Sequence, residues 1–488
     1  MADHTTEADS RRFDTHVNIR PELATRLPKL SQDVVDFLGL QGEVAEEVAQ
    51  LPAVVAPHFD DSLPLTSYLI STSHNTYLLG KQLWGKASPM SYKHVISNGA
   101  HCVEIDVWPG HNKESGPIVT HGWTLAEHIH FRDVCAAISE AVDAKQDDWP
   151  IFVSLECHVN IEGQQELVDI MKETWGDKLV TGSADNGKRD DITPRDLKGK
   201  IIMMIEYYPS VMPDVKADSS EPPASSSESE SESDTEHGDN QPKSVKPKIS
   251  EALSQLGIYA HSVKPRKNWL KESKSIDALV PTSAQDLIEN GNNHLRRVYP
   301  RGTRIASGNL DPLKLWRVGS HFVALNWQEF DRGMQLNEAL FAGTTGWVAK
   351  PPVLLGRQIA NRKIKLSLSI IGLSALPKPT EDDEFSLRIR VHLLHSSGEQ
   401  TWKSKSIRIK NVSASEVHVM FEDSTEWIIE EDPFAFLRDE RLERDPHLAC
   451  FCGCIPYMQH GFRFLRLLDT KGKDTHATLL VRTGLTEL

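Results

Sequence analysis

Cys102-Val103-Glu104-Ile105-Asp106-Val107-Trp108 is the stretch on which the fold turns. Val103, Ile105 and Val107 alternate with Glu104 and Asp106, which is the period of a β-strand. One face is therefore apolar and the other carries two carboxylates. A strand of a parallel α/β sheet or barrel is covered on both faces. Unpaired carboxylates buried there are costly. The two acids call for a partner, and a cation is the natural one.

Outward from this strand, polar strand ends recur. Residues 67–71 read as a strand running into Thr72-Ser73-His74-Asn75. Residues 117–120 read as a strand ending at His121-Gly122, and residues 151–155 as one running into Glu156. Residues 200–205 form a further buried run. Helical patterns fall between, over 124–144 and 163–174. Further along, strands are expected at 304–307, 322–327 and 346–349, again with helical segments between them. Strands alternating with helices indicate a parallel α/β sheet or barrel.

An acidic, serine-rich stretch interrupts this alternation, including Ala224-Ser-Ser-Ser-Glu-Ser-Glu-Ser-Glu-Ser-Asp-Thr-Glu236. It has too little apolar content to offset the entropy of ordering it. Residues 208–248 therefore read as a disordered acidic linker inside one domain, either a plain spacer or an electrostatic gate open to phosphorylation. The barrel halves are 61–207 and 249–358.

From about residue 361 the pattern changes. Ile364, Leu366, Leu368 and Ile370 alternate with polar residues, as do Phe385, Leu387, Ile389, Val391 and Leu393. Short strands follow at 417–421, 427–429, 462–468 and 478–481. Period-2 alternation with turns between runs marks an antiparallel β-sandwich over 360–488, with one face wet. Residues 1–60 form an N-terminal segment, partly helical, with Ser31 opening a helix to about residue 48.

Composition narrows the class. The formal net charge of -15 argues against a nucleic-acid binder. No run approaches the ~18 apolar residues of a membrane span. The N-terminus lacks the pattern of a secretory signal. Six cysteines in 488 residues do not make a disulfide framework, so a cytoplasmic location is expected.

Barrel active sites lie at the C-terminal ends of the strands. Asn75, Glu104, Asp106 and Glu156 offer only oxygen ligands, which favours calcium or magnesium over zinc. Two histidines beside such a cation suit phosphoryl chemistry. One stabilises the developing charge and the other protonates the leaving alkoxide. With 21 histidines in the chain any single one is structural by default. Six polar residues recurring at four strand ends are not.

Ser73-His74-Asn75-Thr76-Tyr77, Val103–Trp108, Thr120-His121-Gly122 and Ser154-Leu155-Glu156-Cys157-His158 resemble the X box of the eukaryotic phosphoinositide-specific phospholipases C. Leu295-Arg296-Arg297-Val298-Tyr299-Pro300, Ser307-Gly308-Asn309-Leu310-Asp311-Pro312 and Val323-Ala324-Leu325-Asn326-Trp327-Gln328 resemble its Y box. The acidic insert sits where that family has its X/Y linker, and the sandwich where it carries a C2 domain. The short N-terminal segment resembles the family's compact forms. The resemblance implies a TIM-like barrel and hydrolysis of phosphatidylinositol 4,5-bisphosphate or less phosphorylated inositol lipids. The products are diacylglycerol and an inositol phosphate, and the enzyme is recruited peripherally to membranes. It implies Ca2+ held by Asn75, Glu104, Asp106 and Glu156. It makes His74 the stabiliser of the pentavalent phosphate and His121 the general acid, with Glu104 or Glu156 as base. Arg297 and Tyr299 hold the inositol headgroup.

Departures from the family pattern lie further from phosphorus. Met204 and Glu206 stand where the family has lysines for the 4- and 5-phosphates, and a carboxylate beside a phosphate is repulsive. Trp269 or Leu270 replaces the headgroup serine. Thr303 replaces an aromatic of the membrane-dipping ridge, which Leu83, Trp84 and Trp123 can supply instead. Two alternatives follow: a catalytically weak lipid-binding scaffold, and a glycerophosphodiester phosphodiesterase, which Glu104-Ile-Asp106 and His121-Gly122 partly resemble.

Overall fold

The two-faced character of residues 102–108 is shared by the neighbouring strands. The computed structural model describes residues 28–79, 86–110, 116–121, 128–145, 148–181, 192–206, 249–257, 260–262, 284–300, 308–357, 362–378, 384–410, 415–439 and 449–488. Its first strands are β1 (Tyr68–Ser73), β2 (Cys102–Trp108), β3 (Ile118–Val119), β4 (Ile129–His130), β5 (Ile151–Cys157), β6 (Ile201–Glu206), β7 (Ala260–Ser262), β8 (Arg297–Val298), β9 (Phe322–Leu325) and β10 (Trp347–Ala349). The order β7–β6–β5–β2–β1–β9–β8 is parallel throughout. Helices connect these strands, among them Phe131–Asp143, Gln164–Trp175, Ala284–Asn293 and Arg332–Leu340. The expected α/β architecture is therefore present. Among the described residues no ladder joins β7 to β8.

The register explains where the polar groups end up. Ile70 pairs with Phe322, Cys102 with Phe152, and Phe152 with Ile202. These residues form one apolar cluster with Tyr68, Met204 and Trp347. Further along the same faces stand Thr72 and His74, Glu104 and Asp106, Ser154 and Glu156, then Asn326. The site is thus the polar continuation of an apolar layer. On the opposite face Val103, Ile105, Val107, Val153, Leu155, Val323 and Leu325 pack in the main core with the helices. Each large apolar side chain buried in this way contributes about 1.5–3 kcal/mol, which helps offset the cost of burying Glu104 and Asp106.

Two expectations need correction. The strands at 117–120 and 346–349 are not parallel members of the sheet: β3 pairs antiparallel with β2 and then with β4, and β10 pairs antiparallel with β1. His121 thus arrives from a hairpin. Among the described residues, the helix expected over 124–144 spans Phe131–Asp143. Ile129 and His130 are drawn into pairing with Val119 and Ile118, which gives their backbone a partner outside the helix. The linker at 208–248, the strand at 304–307, and Leu83, Trp84, Trp123, Trp269, Leu270 and Thr303 lie outside the described residues.

The C-terminal region is all-β. Its strands are β11 (Lys363–Pro377), β12 (Phe385–Leu387), β13 (Arg390–His395), β14 (Gly398–Lys403), β15 (Ile407–Ile409), β16 (Glu416–Glu430), β17 (Phe436–Asp439), β18 (Cys452–Cys454), β19 (Gly461–Leu468) and β20 (Asp474–Glu487). Two antiparallel sheets, β16–β11–β20–β19 and β14–β13–β17–β18, enclose one apolar core. The runs at 417–421 and 427–429 are one continuous strand. The N-terminal helix is two helices, Gln32–Leu40 and Ala45–Gln50, parted at Gly42, whose φ is 79°. Ser31 caps the first, accepting from the Val34 N–H. Val34, Leu38, Ala45 and Val48 cover Ile371, Phe462, Phe464 and Leu480. The outer sheet face is therefore only partly wet. Among the described residues no helix is long and apolar enough to cross a membrane.

Candidate active site

β1 ends at Ser73 and the chain turns at once. Asn75 takes a left-handed conformation, φ 47°, which asparagine tolerates better than most residues. The His74 N–H donates to the Leu325 carbonyl at 2.8 Å. The Asn75 N–H donates to Glu104 Oε2 at 2.8 Å, and the Glu104 N–H donates to Thr76 Oγ1 at 3.1 Å. The turn after β1 is thereby stitched to β2 and β9.

Glu104 and Asp106 are buried, and Asp106 lies opposite Glu156 in the β2–β5 register. One carboxylate oxygen from each of the three lies within 4.8 Å of the others. Glu156 is on the exposed side. Burial, then the charges of Glu104 and Glu156, push the Asp106 carboxyl well above its usual range. Burial also works to raise Glu104, but Arg297, His74 and the Asn75 N–H outweigh it and hold that carboxyl at about 2. Arg297 Nη2 donates to Glu104 Oε1 at 2.5 Å. Tyr77 Oη donates to Asp106 Oδ2 at 2.6 Å and lies 3.2 Å from Asn75 Oδ1.

Asp106 Oδ1 is buried and has no hydrogen-bond partner among the described residues. A buried, unsatisfied carboxylate oxygen in a surplus of negative charge is the environment a hard cation neutralises. The residues present fit such an ion: Glu104, Asp106 and Glu156 supply carboxylates, and the Asn75 amide sits beside them through Tyr77.

Both histidines interact electrostatically with this cluster. His74 Nε2 is 3.7 Å from Glu104 Oε2, and its Nδ1 is 2.9 Å from Asn326 Oδ1. Burial, reinforced by His74, holds the His121 imidazole below its ordinary value, while Glu156 and Glu104 act in the other direction. The Tyr299 ring is parallel to that of His74, centroids 6.2 Å apart, and the Arg297 guanidinium lies 5.0 Å over Tyr299. Tyr299 is 41% exposed, a ring at the mouth rather than in the core. The structure thus gathers His74, Asn75, Glu104, Asp106, His121, Glu156, Arg297 and Tyr299 into one place.

Sequence reasoning passed over Tyr77, Asn326 and His158. His158 Nε2 lies 3.0 Å from Glu156 Oε1 and its ring stacks on Trp108 at 3.9 Å. All three stand inside the quoted motifs, but nothing in their spacing shows what they touch. Met204 is buried in the apolar layer beside Ser154. It offers no cation to a ring phosphate.

Residues 62–206 match the family model described as phosphatidylinositol-specific phospholipase C, X domain, and residues 253–353 match the Y domain. The chain is 32% identical to 1-phosphatidylinositol 4,5-bisphosphate phosphodiesterase 1 of Candida albicans, over 66% of this chain and 35% of that protein. It is 28% identical to the delta-4 phosphodiesterase of Xenopus laevis, over 87% of this chain and 60% of that one. The chain thus spans about a third to three-fifths of the length of these curated relatives. The crystal structure of L. pealei PLC21 superposes with a TM-score of 0.71 at 21% identity, covering 92% of this chain and 59% of that one. With both halves of the catalytic unit matched and the fold shared along most of its length, the chain belongs to the eukaryotic phosphoinositide-specific phospholipase C family.

Proposed function

We propose that the chain is a calcium-dependent phosphoinositide phospholipase C. It would hydrolyse phosphatidylinositol 4,5-bisphosphate or less phosphorylated phosphatidylinositols to diacylglycerol and an inositol phosphate. The observation that carries this reading is the buried carboxylate cluster with its unsatisfied Asp106 oxygen, faced by two histidines. The relatives' names supply the substrate class.

Asn75, Glu104, Asp106 and Glu156 would hold a calcium ion, which when bound would offset negative charge at phosphorus and acidify a nearby hydroxyl. Glu104 or Glu156 takes the proton of the inositol 2-hydroxyl, whose oxygen attacks phosphorus. His74 donates a hydrogen bond to the phosphoryl oxygen as charge builds there. The bond from phosphorus to the diacylglycerol oxygen breaks, and His121 gives that oxygen its proton. Water then opens the cyclic phosphate by the reverse proton transfers. Arg297 and Tyr299 hold the headgroup at the mouth.

In this reading residues 61–207 and 249–358 are halves of one barrel closed around the site, and 360–488 is a C2-like sandwich. The protein works from the cytoplasm at a membrane surface. The test is headgroup release from vesicles of phosphatidylinositol, its 4-phosphate and its 4,5-bisphosphate, with calcium titrated. Calcium-dependent release is expected, with little gain from the ring phosphates because Met204 replaces a cation. Vesicle binding without turnover at any calcium level would instead mark a scaffold. Hydrolysis of glycerophosphocholine alone would mark a glycerophosphodiester phosphodiesterase.

A further inference from the structure

We propose that Asn326 is a positioning residue for His74, held in place by Asn309. The inference rests on the reading of His74 as the group that meets the phosphate.

Leu325-Asn326-Trp327 wraps the end of β1. Leu325 accepts the His74 N–H at 2.8 Å, Trp327 Nε1 donates to the Thr72 carbonyl at 3.2 Å, and Asn326 Oδ1 lies 2.9 Å from His74 Nδ1. An amide oxygen only accepts. The proton of that contact therefore sits on Nδ1, and the proton His74 gives to a phosphoryl oxygen is a second one on Nε2, which faces the carboxylate cluster 3.7 Å from Glu104 Oε2, so the donating ring holds both.

Asn326 is 1% exposed and is itself locked. Its N–H donates to Asn309 Oδ1 at 2.6 Å, and Asn309 Nδ2 donates back to the Asn326 carbonyl at 3.2 Å. Asp331 accepts the Asn309 N–H at 2.8 Å and Nδ2 at 3.0 Å, and caps the helix Arg332–Leu340 through the Met334 N–H at 3.2 Å. The chain of contacts runs from a helix N-cap to an imidazole. Gly333 is needed for it: a Cβ there would lie 2.7 Å from the Leu310 carbonyl and 2.8 Å from Asn309 Cβ.

An amide suits this place better than a carboxylate would. Three acids already crowd the centre, and a neutral acceptor orients the ring without adding charge.

The test uses the full chain with 15N-labelled histidine. At one mildly alkaline pH, the wild-type His74 ring is expected to carry its proton on Nδ1. In Asn326→Leu, with the acceptor gone, the proton shifts toward Nε2. On lipid vesicles kcat falls about 100-fold with KM within about twofold, as expected for a misplaced group. Calcium binding by calorimetry stays within about twofold. Asn326→Asp keeps an acceptor and recovers the rate to within about tenfold. A wild-type ring protonated on Nε2, or an Asn326→Leu enzyme with unchanged kcat, overturns the proposal. Should Asn326→Leu not fold, Asn309→Ala carries the same readouts through the second link, and an unchanged ring and kcat there likewise overturn it. The ring measurement needs no turnover, so its failure is separable from failure of the phospholipase reading.

Discussion

At the residue scale, the two kinds of buried charge in this chain have opposite meanings. Those at the C-terminal ends of the strands are surplus acids gathered at the candidate site. Those at the other end are surplus bases sealed in. Arg296 is 0% exposed and donates to the carbonyl of Leu287 and to Ser320 Oγ. Lys350 is 3% exposed, with Nζ 2.8 Å from the Gly291 carbonyl and 2.8 Å from His321 Nε2. Burial, then the charge of Arg296, lowers Lys350 to about 6. Between about 6 and the ordinary lysine value of 10.5 the unfolded chain binds a proton that the folded chain does not. Stability must then rise with pH across that window and fall as pH drops toward 6. Lys350→Met removes the slope, although it leaves the Gly291 carbonyl short of a donor. Urea titrations of both proteins from pH 6.5 to 9 check this, and equal slopes would refute it. At the other end of the strands, His121→Ala is expected to lower headgroup release by about 10²–10⁴-fold, with vesicle binding intact. An unchanged rate there would remove His121 from the chemistry.

At the scale of elements, the sharpest constraint is a glycine under a helix. Gly372 sits in β11 where the register shifts, and a Cβ there would lie 2.5 Å from Val34 Cγ2 and 2.9 Å from Met420 Sδ. Gly372→Ala must therefore push the helix Gln32–Leu40 off the sheet or strain the strand, at about 1–3 kcal/mol. Faster amide exchange in residues 32–50, relative to β20, is the expected signature. Uniform exchange would mean that the strand absorbs the change. Contacts of this kind are what the sequence left unread. Alternation in 102–108 shows that Glu104 and Asp106 share a face, because strand period is local. It shows too that 364–370 has an apolar face. It does not show that Ile371 and Phe464 on the other face are covered, because the cover comes from residues 32–50. The same limit hid the β3–β4 hairpin: Ile129 and His130 read as helix until a partner strand is known. At the site, ligands and histidines were legible because they recur at strand ends. Tyr77 and Asn326 were not, because their roles depend on neighbours distant in sequence.

At the scale of the whole molecule, the α/β unit and the sandwich are joined through a common core. In the helix Arg332–Leu340 every residue from Gly333 to Leu340 is buried, so both of its faces are covered. Phe434, Phe436, Cys452, Cys454 and Tyr457 of the sandwich belong to the same apolar cluster as Leu336, Ala339 and Leu340. Polar contacts frame the joint. Arg317 Nη2 donates to Asp432 Oδ2 at 3.0 Å, and buried Arg438 donates through Nε to Gln335 Oε1 at 2.6 Å. The segment before β1 crosses the joint as well: the Val55 N–H donates to the Tyr457 carbonyl, while Phe59 packs on Tyr68 and Trp149. Relative motion of two units is the default unless a large hydrophobic interface joins them, and here one apolar cluster runs through both. The two units are therefore expected to unfold as one. Phe436 is 0% exposed at the centre of the shared cluster, and Phe436→Ala should cost about 3–5 kcal/mol. Calorimetry of the full chain should show a single transition that moves to lower temperature intact in the variant. Exchange protection in β2 and in β20 should fall together. Two resolved transitions, with only the sandwich shifted, would mean that the units fold separately and that the buried helix is a seam rather than a shared core.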